Sequence, residues 1–270
     1  MKYIIVLISM ISVLSIITCG DSGTPAPPEN VTITAAGNGE HVELSWEDPS
    51  TGSPDHYIIY FMAVGETDYT AIDTVSTTVY THNPYWETGD YQIAAVFGDQ
   101  EERSEVLTTI PVHSDPITLA ELNATGNAGY GWNISDDLSG ASFSMHDTLN
   151  AAYVDFYMTN FNFGPFDFMN AAQACEILND PGAQVSSGNW RTTWFSNPIT
   201  NPQNSLPIFD NTLYFNWMDV TNTDTTYLAV YLDSEGYYAL AKFCNFDNTN
   251  HTIEVETWFQ SIVGLRLIAH

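Results

Sequence analysis

The residues with the most chemical reach lie near the C-terminal end of this 270-residue chain, where Glu254-Val255-Glu256 places a carboxylate at every second position. On a strand, successive side chains alternate faces. Glu254 and Glu256 would then share one side about 7 Å apart, a spacing that suits the acid and base of glycoside hydrolysis. They are the catalytic candidates. A solvated outer face, with Ile253, Val255 and Thr257 turned the other way, accounts for the same pattern. Ser144-Met145-His146-Asp147 collects the residue types of a catalytic triad, but a strand would point Asp147 away from Ser144 and His146. No Gly-x-Ser-x-Gly, His-Glu-x-x-His, phosphate loop or dinucleotide fingerprint occurs, so the balance favours a non-catalytic protein that needs no cofactor.

Two stretches could bind rather than react. In Asn-Trp-Arg-Thr-Thr-Trp a strand would line Trp190, Thr192 and Trp194 along one face, with Arg191 on the other. Indole faces stack on sugar rings, which makes Trp190, Arg191 and Trp194 the ligand-binding candidates. The alternative is that both tryptophans are core and Arg191 sits in an internal ion pair. Asn245, Asp247 and Asn250 offer oxygen ligands for Ca²⁺ within one loop. That loop lacks the glycine and the bidentate glutamate of a calcium motif, so a plain turn is the competing reading.

The N-terminus carries positional rather than chemical information. Lys2 is followed by an apolar run to Ile17 and then by Cys19, the layout of an export signal. About 15 residues of helix rise only about 22 Å, short of a hydrocarbon core of roughly 30 Å, so the run is a signal and not a span. Ile16-Ile17-Thr18-Cys19-Gly20 resembles the lipobox of bacterial lipoproteins. The resemblance implies cleavage before Cys19, lipidation of its thiol and a membrane partner through that anchor. Thr18 is larger than the residue this family usually carries there, and an ordinary cut after Gly20 would instead release a soluble protein. Without Cys19 the chain keeps Cys175 and Cys244, a pair suited to a disulfide in an exporting compartment or to two buried thiols.

Thirty-three acidic against five basic residues give a net charge of −28, although charged residues total only 14%. With so few cations the chain cannot neutralise phosphates, which excludes nucleic acid as an expected partner. A glycan or a surface protein remains compatible.

The elements that must position these residues are short strands. Residues 20–28 form a Gly/Pro/Ser spacer after the 1–19 signal. Alternating segments at 31–33, 42–46, 57–61, 79–80, 91–95 and 106–112, separated by turn residues, argue for about seven antiparallel strands. The run from Pro28 through "ENVTITAAGNGEHVELSWEDP", "HYIIYFMAVGE" and "TVYTHNPYWETGDYQIAAVFGDQEERS" resembles a fibronectin type III domain over residues 29–113. Trp46, Tyr57, Ile59 and Tyr91 match that family's core positions. The family's Leu-x-Pro-Gly corner is missing before Gly89, so Tyr85 or Trp86 is expected to fill it. The resemblance implies a sandwich and a spacer or adhesive module, not a particular activity.

Residues 114–270 read as a second β-sandwich, of which a jelly roll is one form, with strands expected at 130–135, 142–146, 152–159, 190–195, 213–220, 227–232, 237–244, 252–259 and 264–269. One short helix is expected where Phe168, Ala171, Cys175 and Leu178 recur at three or four residues behind Asn170. The chain is therefore expected to be an all-β, exported, lipid-anchored surface protein whose second sandwich binds a ligand. A polysaccharide-active hydrolase and a structural spacer are the rivals.

Overall fold

The computed structural model describes residues 24–122, 124–159, 167–170, 190–200, 202–203, 205–220 and 225–270. Cys19, Cys175, Ala171 and Leu178 lie outside them, and with them the lipidation site, one half of the expected disulfide and the body of the expected helix.

Eight strands build the first sandwich: β1 (Glu29–Ala36), β2 (His41–Glu47), β3 (His56–Ala63), β4 (Thr70–Val75), β5 (Val79–His82), β6 (Gly89–Phe97), β7 (Gln100–Arg103) and β8 (Leu107–Thr108). One sheet has the order β1-β2-β5 and the other β4-β3-β6-β7, with β8 also paired to β6. The alternation in the sequence is the cause. Along β2, Val42, Leu44 and Trp46 point inward while Glu43 and Glu47 are exposed. Trp46 meets Tyr57 edge-on at 5.3 Å, and the buried hydroxyl of Tyr91 pairs with His82 Nδ1 at 2.8 Å. A Cβ at Gly89 would come within 2.2 Å of the Met62 carbonyl oxygen, which is why a glycine opens β6. Tyr85 and Trp86 do not fill the corner before it: they are 80% and 50% exposed.

Among the described residues eleven strands follow: β9 (Val112–Ala120), β10 (Gly129–Trp132), β11 (Gly140–Phe143), β12 (Phe156–Thr159), β13 (Asp167–Asn170), β14 (Thr193–Ser196), β15 (Tyr214–Phe215), β16 (Trp217–Asp219), β17 (Thr225–Leu232), β18 (Tyr237–Asp247) and β19 (Thr252–Phe259). They form two antiparallel sheets ordered β11-β10-β12-β13-β16 and β15-β14-β17-β18-β19-β9. Trp132, Phe156, Phe195, Phe243 and Val255 fill the space between them. The order differs from a jelly roll, because the short turns joining β17, β18 and β19 keep all three in one sheet. Phe168 and Asn170, read as the start of a helix, lie on β13, where pairing to β12 and β16 outweighs the local helical spacing.

The largest departure from the expected layout is residues 264–269, which form no strand in the second sandwich. Their alternation reports burial between the two sandwiches instead. Leu265 and Leu267 are fully buried in the core of the first sandwich, while Ile268 packs on the outer face of the second with Leu240 and Trp258. Between them Arg266 donates from its backbone N to Gly39 O (2.8 Å) and from Nε to Asn38 O (2.7 Å), forms an ion pair with Glu40 (2.9 Å), and reaches Leu206 O through Nη1. A Cβ at Gly39 would stand 2.2 Å from Gly264 O, so the φ of +83° at this glycine serves a close approach of the two segments. Fully buried Gln260 adds bonds from Nε2 to Thr109 O (3.0 Å) and Leu267 O (2.8 Å).

Candidate functional site

β19 displays Glu254, Glu256 and Trp258 on the side facing away from the inner core, and β18 and β9 bring Lys242 and His113 alongside them. Glu256 bonds His113 Nε2 through Oε1 (2.9 Å) and accepts from Lys242 Nζ through Oε2 (2.7 Å). Burial alone would raise its pKa, but the hydrogen bonds from Lys242 and His113 outweigh that and hold the carboxyl below its ordinary value. Glu256 is therefore a fixed negative charge, unsuited to donating a proton. Glu254 is tied elsewhere, accepting from Asn245 Nδ2 at 2.6 Å. The two carboxylates share a face as expected, but each is occupied by a different partner.

Trp258, beside Glu256, is packed by two imidazoles, His113 at 5.1 Å and His270 at 4.1 Å between ring centroids. Next to these rings is a cavity of about 440 Å³. Its first wall is apolar and comes from Val64, Ile110 and Pro111 of the first sandwich; the second consists of His113, Glu256, Trp258 and His270. The C-terminal segment makes this site by carrying His270 back to the start of β9. Sequence reasoning found Glu256 here and missed His113 and His270, whose partners are about 140 residues and 12 residues away in the chain; no local pattern reports such contacts.

The other candidates are dispersed. Strand β14 begins only at Thr193, so Trp190 and Trp194 do not share a strand face. Trp190 is buried with Met145, Val154 and Tyr157, and Trp194 packs against Phe209 at 6.1 Å in a separate cluster on the outer face. Arg191 turns inward, donating from Nη1 to Asp155 Oδ2 (3.0 Å) and Trp132 O (2.8 Å). Asp155 is fully buried and also accepts from Trp132 N (2.8 Å), yet burial pushes its pKa up to about 7 against the opposing pull of Arg191, and Glu235 raises it further. Asp247, within the expected Ca²⁺ loop, spends its carboxylate on the turn, accepting from Thr249 N (2.8 Å), Asn250 N (3.0 Å) and Asn250 Nδ2 (2.7 Å). Among the described residues no group of three or more His, Cys, Asp or Glu side chains is placed to hold a metal. Ser144 and Asp147 likewise bond turn backbone, at His146 N and Leu149 N. Cys244 is a buried thiol on β18, its pKa raised by that burial.

Tyr85 and Trp86 form a different kind of feature. They are the two central residues of a turn closed by Glu87 N donating to Pro84 O (3.1 Å), and both have left-handed φ, 52° and 76°. Such turns normally take Asn or Gly, because an L side chain in this region costs about 1–2 kcal/mol.

No protein-family model matches the sequence, and no curated protein is similar to it. Among solved structures, the chain is similar to the FN5 domain of Drosophila Lar, with 22% identity and a TM-score of 0.27 over 32% of this chain and 94% of that one. It is also similar to an Fn3-like protein from Clostridium thermocellum, with 21% identity and a TM-score of 0.28 over 32% of this chain and 92% of that one. The fn3 domain of the human collagen alpha-1(XX) chain gives 18% identity and a TM-score of 0.27 over 34% and 88%. The chain is all-β, and each of these three fibronectin type III neighbours spans about a third of it.

Proposed function

We propose that this is an exported, lipid-anchored surface protein that binds a glycan or a surface protein without turning it over, and that the contact is made at the junction cavity. One observation carries the reading: a cavity of about 440 Å³ has an apolar wall from one sandwich and every polar side chain from the other. The cleft is open along one side, as suits a sugar unit of a longer chain, and an apolar wall facing a few fixed polar groups suits the two-sided character of that unit. Glu256, held ionised with both oxygens engaged, supports binding over hydrolysis. The leader, Cys19 and the spacer support the anchored location. Two acyl chains on a lipoprotein would make that anchoring stable, at about 0.8 kcal/mol per buried CH₂.

The test uses the full chain in cells fed a clickable fatty acid, followed by a screen of the purified protein on soluble and insoluble glycans with released sugar assayed in parallel. Wild type should take up label where Cys19→Ser does not, and should retain a ligand that His113→Ala binds about tenfold more weakly, a loss near 1.4 kcal/mol. An unlabelled cytosolic chain would overturn the location. Sugar release that disappears in Glu256→Gln would overturn the non-catalytic reading.

A further inference from the structure

A second surface, made by residues that do not line the junction cavity, is built at the corner between β5 and β6. Tyr85 and Trp86 stand 80% and 50% exposed there, on consecutive left-handed positions of the Pro84–Glu87 turn. Both bases of the turn are fastened. Asn83 Oδ1 accepts from Tyr85 N (2.9 Å); fully buried Thr88 donates to Ala269 O (2.6 Å) and accepts from Val64 N (2.8 Å) at its carbonyl. The backbone is thus held in a conformation that aromatic residues disfavour, and its rings face water. Folding alone explains neither choice, since an Asn-Gly pair would close the same turn without strain or exposed rings.

The surrounding charge names the partner. Residues 24–111 carry fifteen Asp and Glu residues against the single basic Arg103, and exposed Glu87 follows the two rings directly. Arg103 is already spent on Glu101 (2.7 Å) and on the face of Tyr60 (3.8 Å). Such a surface repels an anionic membrane and a second copy of this chain, and it attracts cations. Aromatic faces next to a carboxylate bind ammonium and guanidinium groups by cation–π attraction and ion pairing together. We propose that the Tyr85–Trp86–Glu87 turn is a recognition tip for lysine or arginine side chains on a basic segment of a partner protein. The strained, pinned turn pre-organises the rings, so little ordering is needed at contact.

The experiment measures binding of a fluorescent (Arg-Gly)₅ peptide to the full chain in mild detergent, at about 0.5 M salt so that long-range attraction to the acidic surface is screened. Tyr85→Asn combined with Trp86→Gly leaves net charge unchanged and suits the turn; it should raise the melting temperature and weaken peptide binding about tenfold or more. Glu87→Gln should weaken it with both rings in place, and Trp86→Phe should retain most of it. Equal affinity of wild type and the double variant would overturn the proposal, showing bulk charge alone at work. So would binding of a neutral oligosaccharide such as cellohexaose that the double variant loses, because a glycan held in the junction cavity should be indifferent to these two substitutions.

Discussion

Asp155 shows how a single residue can bind structure and titration together. Its Oδ2 receives Trp132 N and Arg191 Nη1, and its backbone carbonyl accepts from Thr193 Oγ1 (2.7 Å), so three segments meet at one buried side chain. Among the described residues, Oδ1 is buried with no hydrogen-bond partner, as is Oε2 of Glu235, which acts on Asp155 electrostatically. Burial of this kind favours the neutral acid, and the folded pKa is pushed up to about 7 from the ordinary 3.8 of an aspartate. The folded state then holds a proton that the unfolded state has released between those two values. Stability from this group is greatest at acidic pH and is lost as pH rises toward 7. Asp155→Asn should remove that dependence while keeping an acceptor for Trp132 N. Urea midpoints at pH 5 and pH 8 provide the measurement: the difference between variant and wild type should move in the variant's favour at pH 8, and a constant difference would refute the assignment.

At the scale of elements, the C-terminal segment decides most. Its alternating residues are divided between two cores, with Leu265 and Leu267 in the first sandwich and Ile268 on the second. Leu265→Ala and Leu267→Ala should each cost about 2–5 kcal/mol, as for other fully buried leucines. The loss should be visible in the first sandwich by hydrogen exchange at β2 and β6, although both mutations lie more than 160 residues away. Normal protection in those strands would mean that the segment is an appendage. Arg266 makes the same element specific: its planar fork serves Asn38, Glu40 and Leu206 at once, which a lysine cannot do.

At the scale of the molecule, two sandwiches share one seam. Strand β9 starts at Val112, four residues after β8 ends, and the returning segment closes the other side. A stalk carrying a separate head would unfold in two steps. Here one C-terminal segment packs into both sandwiches, so calorimetry of the full chain should show one transition with equal calorimetric and van't Hoff enthalpies; two resolved transitions would contradict the shared seam. The proposed junction site depends on this, because neither sandwich by itself supplies both walls.

The sequence by itself determined the all-β class, many of the strands and much of the first core, but not β4, β7 or β13. Val42, Leu44, Trp46, Tyr57, Ile59 and Tyr91 are buried as their alternation requires, because period-two patterning is a local property of the chain. It also placed Glu254 and Glu256 together on one face of a strand, the face turned away from the inner core. Only the tertiary structure decided which rings and charges meet: Trp190 and Trp194 parted because their strand starts late, Arg191 turned inward to Asp155, and His113, Glu256 and His270 converged from distant positions. The same reason covers all three. Alternation says that a side chain is buried, but the choice of what it is buried against is made by long-range pairing and packing, to which the local pattern is blind.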